Sequence, residues 1–329
     1  MVMFWISLLA ISILLYVLLD GADLGIGMLF GLTQGEANRR VMLKAVSPIW
    51  DGNETWLVVS GVILWGAFPL VYATLLSAFY LPLFLMLAGL ILRGVAFEFR
   101  DKTQRMRWIW DLSFAGGSLI ASFMQGTTVG ALVEGLQVTN GQYSGGDFGW
   151  LTPFAILCGV GLCLGYALLG ASWLVKKCDA EVRDGAHRQI RILAVAVLVY
   201  LVVVFAYALA EHLPILHRWI DRPYLFVFPA IGVIAATVLA LSIFRYNDTW
   251  PFYTVAAIFV SAFGTLALSF WPYMIPFVIT VDEAAAPPSS LMFMFWGGVV
   301  VFPMMLLYTA FSYSVFRGKV RATSGYGHH

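Results

Sequence analysis

Residues 47–92 read SPIWDGNETWLVVSGVILWGAFPLVYATLLSAFYLPLFLMLAGLIL. From Trp56 to Leu92 this stretch carries no charged side chain. As one helix, that apolar run would be about 55 Å long, whereas the hydrocarbon core of a bilayer is about 30 Å thick. The run must therefore turn, and we expect the turn at Gly66 and Pro69, because proline interrupts a helix. The stretch predicts two membrane spans, with acidic side chains at the mouth of the first.

The composition of the whole chain agrees with a membrane protein. Of its 329 residues, 61% are hydrophobic and 11% are charged, which excludes an ordinary soluble domain. A net charge of +1, without a basic aromatic patch, gives no indication of a nucleic-acid partner. The three cysteines form no CxxC pair, so neither a disulfide framework nor a thiolate metal site is expected. We predict an all-α polytopic membrane protein, with residues 1–329 forming a single integral membrane domain and the first span retained.

The apolar segments predict nine transmembrane helices, with Ser47 as the N-cap of the second and Pro48 as its first residue. The predicted spans are residues 2–30, 48–68, 70–92, 108–131, 150–175, 192–210, 224–244, 251–272 and 291–316. With nine spans, 17 of the 19 lysines and arginines lie in the odd-numbered loops and the tail, and only Arg218 and Arg222 lie on the other side. The positive-inside rule then predicts a periplasmic N-terminus and a cytoplasmic C-terminus.

Acidic residues gather at the predicted cytoplasmic ends of the first four spans. They are Asp20 and Asp23, Asp51 and Glu54, Glu98, and Asp111. Ionisable side chains can carry a proton where lipid cannot, so these groups are candidates for a proton path. The alternatives are structural. The helix dipole favours Asp51 and Glu54 at a helix N-terminus, and Arg93 with Asp111 is expected to form an ion pair.

Two neighbouring aspartates of the first span receive different interpretations. Asp20 is expected to be a solvated interface residue. Asp23 is expected to be approached by another helix, because Gly21, Gly25 and Gly27 leave room beside it. The spacing of three residues places both carboxylates on one helix face.

The positions of the histidines exclude one kind of site. All five lie in loops or near span ends: His187, His212, His217, His328 and His329. Without a mid-span histidine, the chain offers no bis-histidine haem site within the bilayer. It also lacks a Walker loop, a metal-ligand cluster and a nucleophile triad. We therefore expect no metal and no haem to be bound by this chain.

Two stretches carry a family resemblance: DGADLGIGM at residues 20–28, followed by SPIWDGNETWL at residues 47–57. Together they resemble subunit II of cytochrome bd-type quinol oxidases, and more weakly the cyanide-insensitive branch of that family. The likeness continues in PLVYA at 69–73, LRGVAFEFR at 92–100, WPYMIP at 271–276 and LLYTAF at 306–311.

The resemblance implies two four-helix bundles plus a peripheral helix in a bacterial cytoplasmic (inner) membrane. The first bundle would span about residues 1–131, the second bundle and peripheral helix about 150–316, and a cytoplasmic tail 317–329. It implies a partner, subunit I, that carries haems b and d, oxidises quinol and reduces oxygen to water. The quinol pool and membrane lipid are further expected partners, and a small single-helix accessory subunit and a bound quinone are left open.

The resemblance also implies roles for individual residues. Asp51 is the first candidate for a cytoplasmic proton route, followed by Asp23, Glu98 and Glu54. Trp50 is a candidate contact for a quinone ring or for the partner. Arg93 and Asp111 would hold the first bundle together near subunit I. Two alternatives stay open, a proton-coupled secondary transporter and a purely structural membrane partner. The transporter class usually shows inverted repeats, and none is evident in the sequence.

Overall fold

The computed structural model describes residues 1–103, 105–139, 142–210 and 222–320. His212, His217, Arg218 and the tail beyond residue 320, with its two histidines, lie outside the described residues. The described chain is mainly helical. The helices are α1 Val2–Leu32, α2 Glu36–Val46, α3 Trp50–Ala67, α4 Pro69–Ala78, α5 Tyr80–Phe99, α6 Arg107–Glu134, α7 Pro153–Lys177, α8 Ala180–Ala210, α9 Val227–Phe244, α10 Trp250–Phe270, α11 Val281–Ala284 and α12 Pro288–Val315.

Short elements connect the helices. Strands β1 Val138–Thr139 and β2 Gln142–Tyr143 form one antiparallel pair, and β3 Tyr273–Ile275 and β4 Ile279–Thr280 form another. A 3-10 turn, Pro223–Phe226, precedes α9. The β3–β4 hairpin and α11 pack against the junction of α3 and α4, where the Ala286 N–H donates a hydrogen bond to the Ala67 carbonyl.

Within the described residues, seven helices are long and apolar enough to cross a membrane. They are α1, α5, α7, the described part of α8, α9 together with its 3-10 turn, α10 and α12. An eighth candidate is α3 with α4, which bend by 120° at Phe68. The predicted turn before Pro69 is therefore confirmed. The predicted total of nine spans in two four-helix bundles stays a prediction.

Two predicted boundaries near the quoted stretch are wrong. Ser47 does not cap the second span, because it closes α2, where its N–H bonds to the Leu43 carbonyl, and α3 begins only at Trp50. The predicted third span is divided at Phe79 into α4 and α5. Helix α5 then continues to Phe99, so Arg93 lies inside a helix rather than in a loop.

Helix α1 is the centre of the packing. It contacts α3, α6 and α7, and its second half is buried on nearly every side. At Gly25 the backbone of α7 comes so close that a Cβ would lie 1.8 Å from the Tyr166 carbonyl oxygen. The polar side chains that α1 carries are therefore enclosed by three other helices. Helix α12, by contrast, is largely exposed and packs on α3.

The described parts of the odd-numbered loops and the start of the tail meet at one end of the protein, which we call the basic end (residues 33–49, 100–103, 105–106, 178–179, 245–249 and 316–320). Ion pairs connect these segments to one another and to the adjacent helix ends. They are Arg100–Glu36, Arg39–Asp111, Arg183–Asp248 and Lys319–Asp179. The Trp173 indole also donates to the Ala45 carbonyl at 3.2 Å and joins the two halves of this end.

Candidate functional site

Helix α1 presents three polar side chains to the protein interior. Tyr16, Asp20 and Asp23 are spaced four and three residues apart, so they share one face, and none is more than 4% exposed. The prediction that Asp20 is solvated is wrong, because α1 is covered at this depth by the helices that cross it. The room predicted beside Asp23 is confirmed, since Gly21 and Gly25 lie against Tyr166.

Arg93 of α5 joins two acidic residues of other helices. Its Nη1 donates to Asp20 Oδ1 at 2.7 Å, and its Nη2 donates to Glu54 Oε2 at 2.8 Å. Arg93 and Asp20 are fully buried, whereas the Glu54 side chain is 28% exposed. The predicted pairing of Arg93 with Asp111 is therefore wrong. Because α5 continues past Arg93, the guanidinium reaches inward to α1 and α3 instead of toward the loop.

Asp23 belongs to a second branch that contains no cation. The Asn53 amide of α3 donates from Nδ2 to Asp23 Oδ2 at 2.8 Å. The hydroxyl of Tyr313, near the end of α12, donates to Asn53 Oδ1 at 3.2 Å. Asn53 is 1% exposed, so this amide fixes a buried carboxylate on one side and a tyrosine on the other.

A third branch lies deeper in the protein. Gln125 of α6 donates from Nε2 to the Tyr16 hydroxyl at 2.7 Å, and the Tyr166 hydroxyl of α7 donates to Gln125 Oε1 at 2.9 Å. Gln125 lies 18 residues from the start of α6, or about 27 Å along the helix. Polar side chains thus continue from the basic end toward the middle of the helices. This branch was not predicted from the sequence, although Tyr16 precedes Asp20 by one helical turn.

We call these nine residues the buried polar network. They are Tyr16, Asp20, Asp23, Asn53, Glu54, Arg93, Gln125, Tyr166 and Tyr313. Three of its members are carboxylates and one is a guanidinium. Burying an unpaired charge costs roughly several kcal/mol. Because the carboxylates outnumber the guanidinium, binding protons can lower the electrostatic free energy of the network. Groups that bind and release protons inside a membrane protein are what a proton path needs.

The other predicted site residues lie outside this network. Asp51 is exposed on α3, one turn before Thr55. The Glu98 side chain is 65% exposed and lies 3.7 Å from Lys102 Nζ. The Trp50 ring stacks on Phe97, with 4.9 Å between the ring centroids. Of the four predicted proton carriers, Asp23 and Glu54 belong to the buried polar network, through Asn53 and Arg93 respectively, and Asp51 and Glu98 lie on the surface of this chain.

Asp111 instead holds the basic end together. It accepts hydrogen bonds from Arg39 at 2.8 Å and from Arg100 at 2.5 Å. Arg100 also donates to Glu36, so one buried guanidinium connects α2, α5 and α6. On the other side of the same end, Asp248 accepts from Arg183 at 2.8 Å.

The ion pairs of the basic end should make the protein acid-sensitive. Partial burial raises the pKa of Glu36, but hydrogen bonds from Arg100 and Arg40 outweigh it and hold the pKa below its ordinary value. Asp248 behaves alike, because hydrogen bonds from His187 and Arg183, among others, outweigh its burial and lower its pKa.

A carboxylate with a depressed pKa contributes stability above its unfolded pKa and loses it as the pH falls through its folded pKa. We expect the melting temperature to fall progressively below about pH 4. In thermal melts of the detergent-solubilised complex, Glu36→Gln should be less stable at neutral pH but less pH-dependent. Parallel pH profiles for the parent and this variant would contradict the assignment.

The described residues offer little to a metal or a haem. They contain no group of three or more histidine, cysteine, aspartate or glutamate side chains that could hold a metal ion. The described part of the chain contains one histidine, His187. Its ring stacks on Tyr246 with centroids 3.9 Å apart, and its Nε2 lies 3.2 Å from Asp248 Oδ1. This imidazole is already engaged at the basic end.

Comparison with known proteins identifies the family. A family model described as cytochrome bd terminal oxidase subunit II matches residues 1–316. The chain belongs to this family. The subunit is 28% identical to cytochrome bd-I ubiquinol oxidase subunit 2 of Escherichia coli K12, over 96% of this chain and 94% of that protein. It is 29% identical to cytochrome bd ubiquinol oxidase subunit 2 of Bacillus subtilis, over 96% of each.

A solved structure has the same fold. The bd oxidase from Geobacillus thermodenitrificans matches the subunit with a TM-score of 0.78 and 18% identity, over 95% of this chain and 96% of that one. The family model confirms the resemblance seen in the motifs at the level of the family. The subunit is a component of a terminal quinol oxidase and a multi-pass protein of the bacterial inner membrane. Its place in the cyanide-insensitive branch stays a prediction.

Proposed function

We propose that the subunit binds no haem and delivers protons from the cytoplasm, through the buried polar network, toward subunit I. The haems b and d of that partner would supply the electron transfer that oxidises quinol to quinone and reduces oxygen to water. The observation that carries the proposal is the burial of Asp20 and Asp23 beside a single guanidinium, Arg93. Arg93 alone does not compensate the negative charge of these carboxylates, and protons entering the network would compensate the rest.

Glu54 gives the network a way out of this chain. Its side chain is partly exposed, whereas the two aspartates behind it are enclosed. We place the contact with subunit I on this face, because Asp51 lies exposed one turn earlier on the same helix. Asp51 and Glu98 would then act at the surface between the subunits, where a proton passes from one chain to the other. A quinone contact at Trp50 and a small accessory subunit stay predictions.

The proposed direction rests on the distribution of basic residues. Arginines and lysines collect at the basic end, and such an end faces the cytoplasm under the positive-inside rule. Arg93 is buried inside α5 and no longer counts as a loop residue, but the asymmetry persists without it. Asn53, Glu54 and Tyr313 all lie near helix termini at this end.

The two alternatives are less well supported. Broken helices are typical of secondary transporters, and the bend between α3 and α4 is such a break. However, Phe68 lies 14 residues from Glu54, about 21 Å along α3, so the break is remote from the carboxylates. A purely structural partner would have no need of Asp23, whose carboxylate is bound to a neutral amide.

The decisive variant is Asp23→Asn in the assembled complex, which keeps the shape and a hydrogen-bonding group but removes the titratable carboxylate. We expect quinol-dependent oxygen consumption to fall about 10-fold or more, because proton transfer by one positioned group contributes at least that much. The haem absorption spectrum should not change. Asp101→Asn, at a side chain that is 77% exposed, is the matched control and should turn over normally. Normal turnover of Asp23→Asn would favour the purely structural role.

A further inference from the structure

A cavity of about 230 Å³ opens at the basic end of the subunit. It lies between the link from α2 to α3, the end of α7 and the segment that follows α12. Its lining includes Lys44, Pro48, Trp173, Lys177, Tyr313 and Lys319. At about 30 Å³ per molecule, the cavity has room for several waters, and its hydroxyl, ammonium and carbonyl groups can bind them. Neither the sequence motifs nor the proposed carboxylate route accounts for it.

The outer wall of the cavity is fixed by hydrogen bonds. Lys177 Nζ donates to the carbonyls of Phe316 and Gly318. The Val320 N–H donates in return to the Lys177 carbonyl at 2.7 Å. Lys319 is bound by Asp179 at 3.0 Å and by Asp248 at 3.1 Å, which offsets its charge. The cavity is therefore a defined feature of this end, and these two ammonium groups are engaged with protein oxygens.

The inner wall leads directly to a buried carboxylate. Tyr313 lines the cavity and donates its hydroxyl proton to Asn53, and Asn53 donates to Asp23. Two hydrogen bonds thus connect the cavity with Asp23. Glu54 lies on the face that we assign to the exit toward subunit I, so the entry must reach Asp23 from another side. The branch through Asn53 and Tyr313 contains no cation.

Resting on the function proposed above, we propose that this cavity is the water-filled entrance from which protons reach Asp23, with Tyr313 at its inner wall and Asn53 as a positioning residue. In the transfer, an O–H bond of a hydronium ion in the cavity breaks and an O–H bond forms on Asp23. The Tyr313 hydroxyl neither gains nor loses a proton, because it stays bonded to Asn53 Oδ1 and orients the water that passes the proton to Asp23. Asn53 neither gains nor loses a proton, because it orients the carboxylate and the phenol.

The first test compares two tyrosines of the same helix in the whole oxidase complex. Tyr313→Phe removes the hydroxyl and keeps the ring. Tyr308→Phe is the matched control, since Tyr308 is 59% exposed and lies beside Gly52 on another face. We expect Tyr313→Phe to lower turnover about 10-fold at alkaline pH and less at acidic pH, where protons are abundant, with an unchanged haem spectrum. If Tyr313→Phe loses the same fraction of turnover at every pH, or loses none, the proposal that the cavity is the proton entrance is wrong.

A second test avoids any effect on folding. A Cβ on Gly318 would meet no atom within 4 Å, so Gly318→Cys should assemble normally. A bulky maleimide is then added to the finished complex, with the maleimide-treated parent as control because the subunit has three cysteines of its own. Blocking of oxygen consumption only in Gly318→Cys supports the entrance, even if Tyr313→Phe loses haem.

The two proposals fail separately in these experiments. Suppose that Asp23→Asn consumes oxygen slowly, whereas Tyr313→Phe and the maleimide-treated Gly318→Cys both consume it at the parental rate. Protons then reach Asp23 by another route. That result would overturn the entrance and leave the proposed function standing. If Asp23→Asn itself consumes oxygen at the parental rate, the proposed function fails, whatever the result for the cavity variants.

Discussion

Replacing Arg93 with methionine is expected to prevent stable assembly of the oxidase. The guanidinium is fully buried and donates to Asp20 at 2.7 Å and to Glu54 at 2.8 Å. Methionine fills a similar volume but leaves both carboxylates without their cation. Removing one partner of a buried ion pair costs about 3–5 kcal/mol, a large part of the roughly 5–15 kcal/mol that stabilises a domain. The yield of haem-containing complex and its melting temperature should both fall sharply.

Lys102→Met is the control for this substitution. Lys102 is 69% exposed and 3.7 Å from Glu98, and a surface pair of this kind contributes about 0–1 kcal/mol. Adding Asp20→Asn to Arg93→Met should restore part of the lost stability, because the two residues share one interaction. If Arg93→Met melts like the Lys102→Met control, the ion pairs of Arg93 do not stabilise this fold.

Gly25→Ala is expected to have the second-largest effect, through packing alone. At this residue the backbones of α1 and α7 touch, and a Cβ would lie 1.8 Å from the Tyr166 carbonyl oxygen and 3.1 Å from the Gly170 nitrogen. A carbonyl cannot rotate away as a side-chain end can, so the helices must separate. Such overpacking costs about 3 kcal/mol. Because Tyr166 belongs to the buried polar network, we expect lower turnover as well as a lower melting temperature.

The same substitution at Gly116 is the comparison. A Cβ there would meet no atom within 4 Å, and alanine favours the helix over glycine. Gly116→Ala of α6 should therefore be neutral or slightly stabilising. Equal melting temperatures for Gly25→Ala and Gly116→Ala would mean that α1 and α7 do not cross as closely as described.

Much of the fold could be predicted from the sequence, because a bilayer imposes length and charge limits on every segment. The run from Trp56 to Leu92 is too long for one span, and the break falls beside Pro69 as expected. The glycines around Asp23 indicated a close helix contact, and α7 makes it. These features depend on residues close together in the chain.

The rest of the site depends on contacts between distant residues. Arg93 and Asp20 are 73 residues apart, and their pairing depends on α5 continuing through Arg93. Asn53 lies inside the recognised motif, but an amide next to two carboxylates in the sequence does not by itself indicate which side chain it will bind. Gln125 and Tyr166 are uncharged side chains in apolar helices, where packing is the ordinary interpretation.

The most direct test of the central claim is proton uptake during a single turnover. Reduced complex is reconstituted in vesicles and exposed to oxygen, and a pH indicator on the side of the basic end is followed together with the haem absorbance. We expect oxidation of the haems in Asp23→Asn to begin at the parental rate while proton uptake lags by about 10-fold or more. Proton uptake at the parental rate, with intact haems, would contradict the role of the buried polar network.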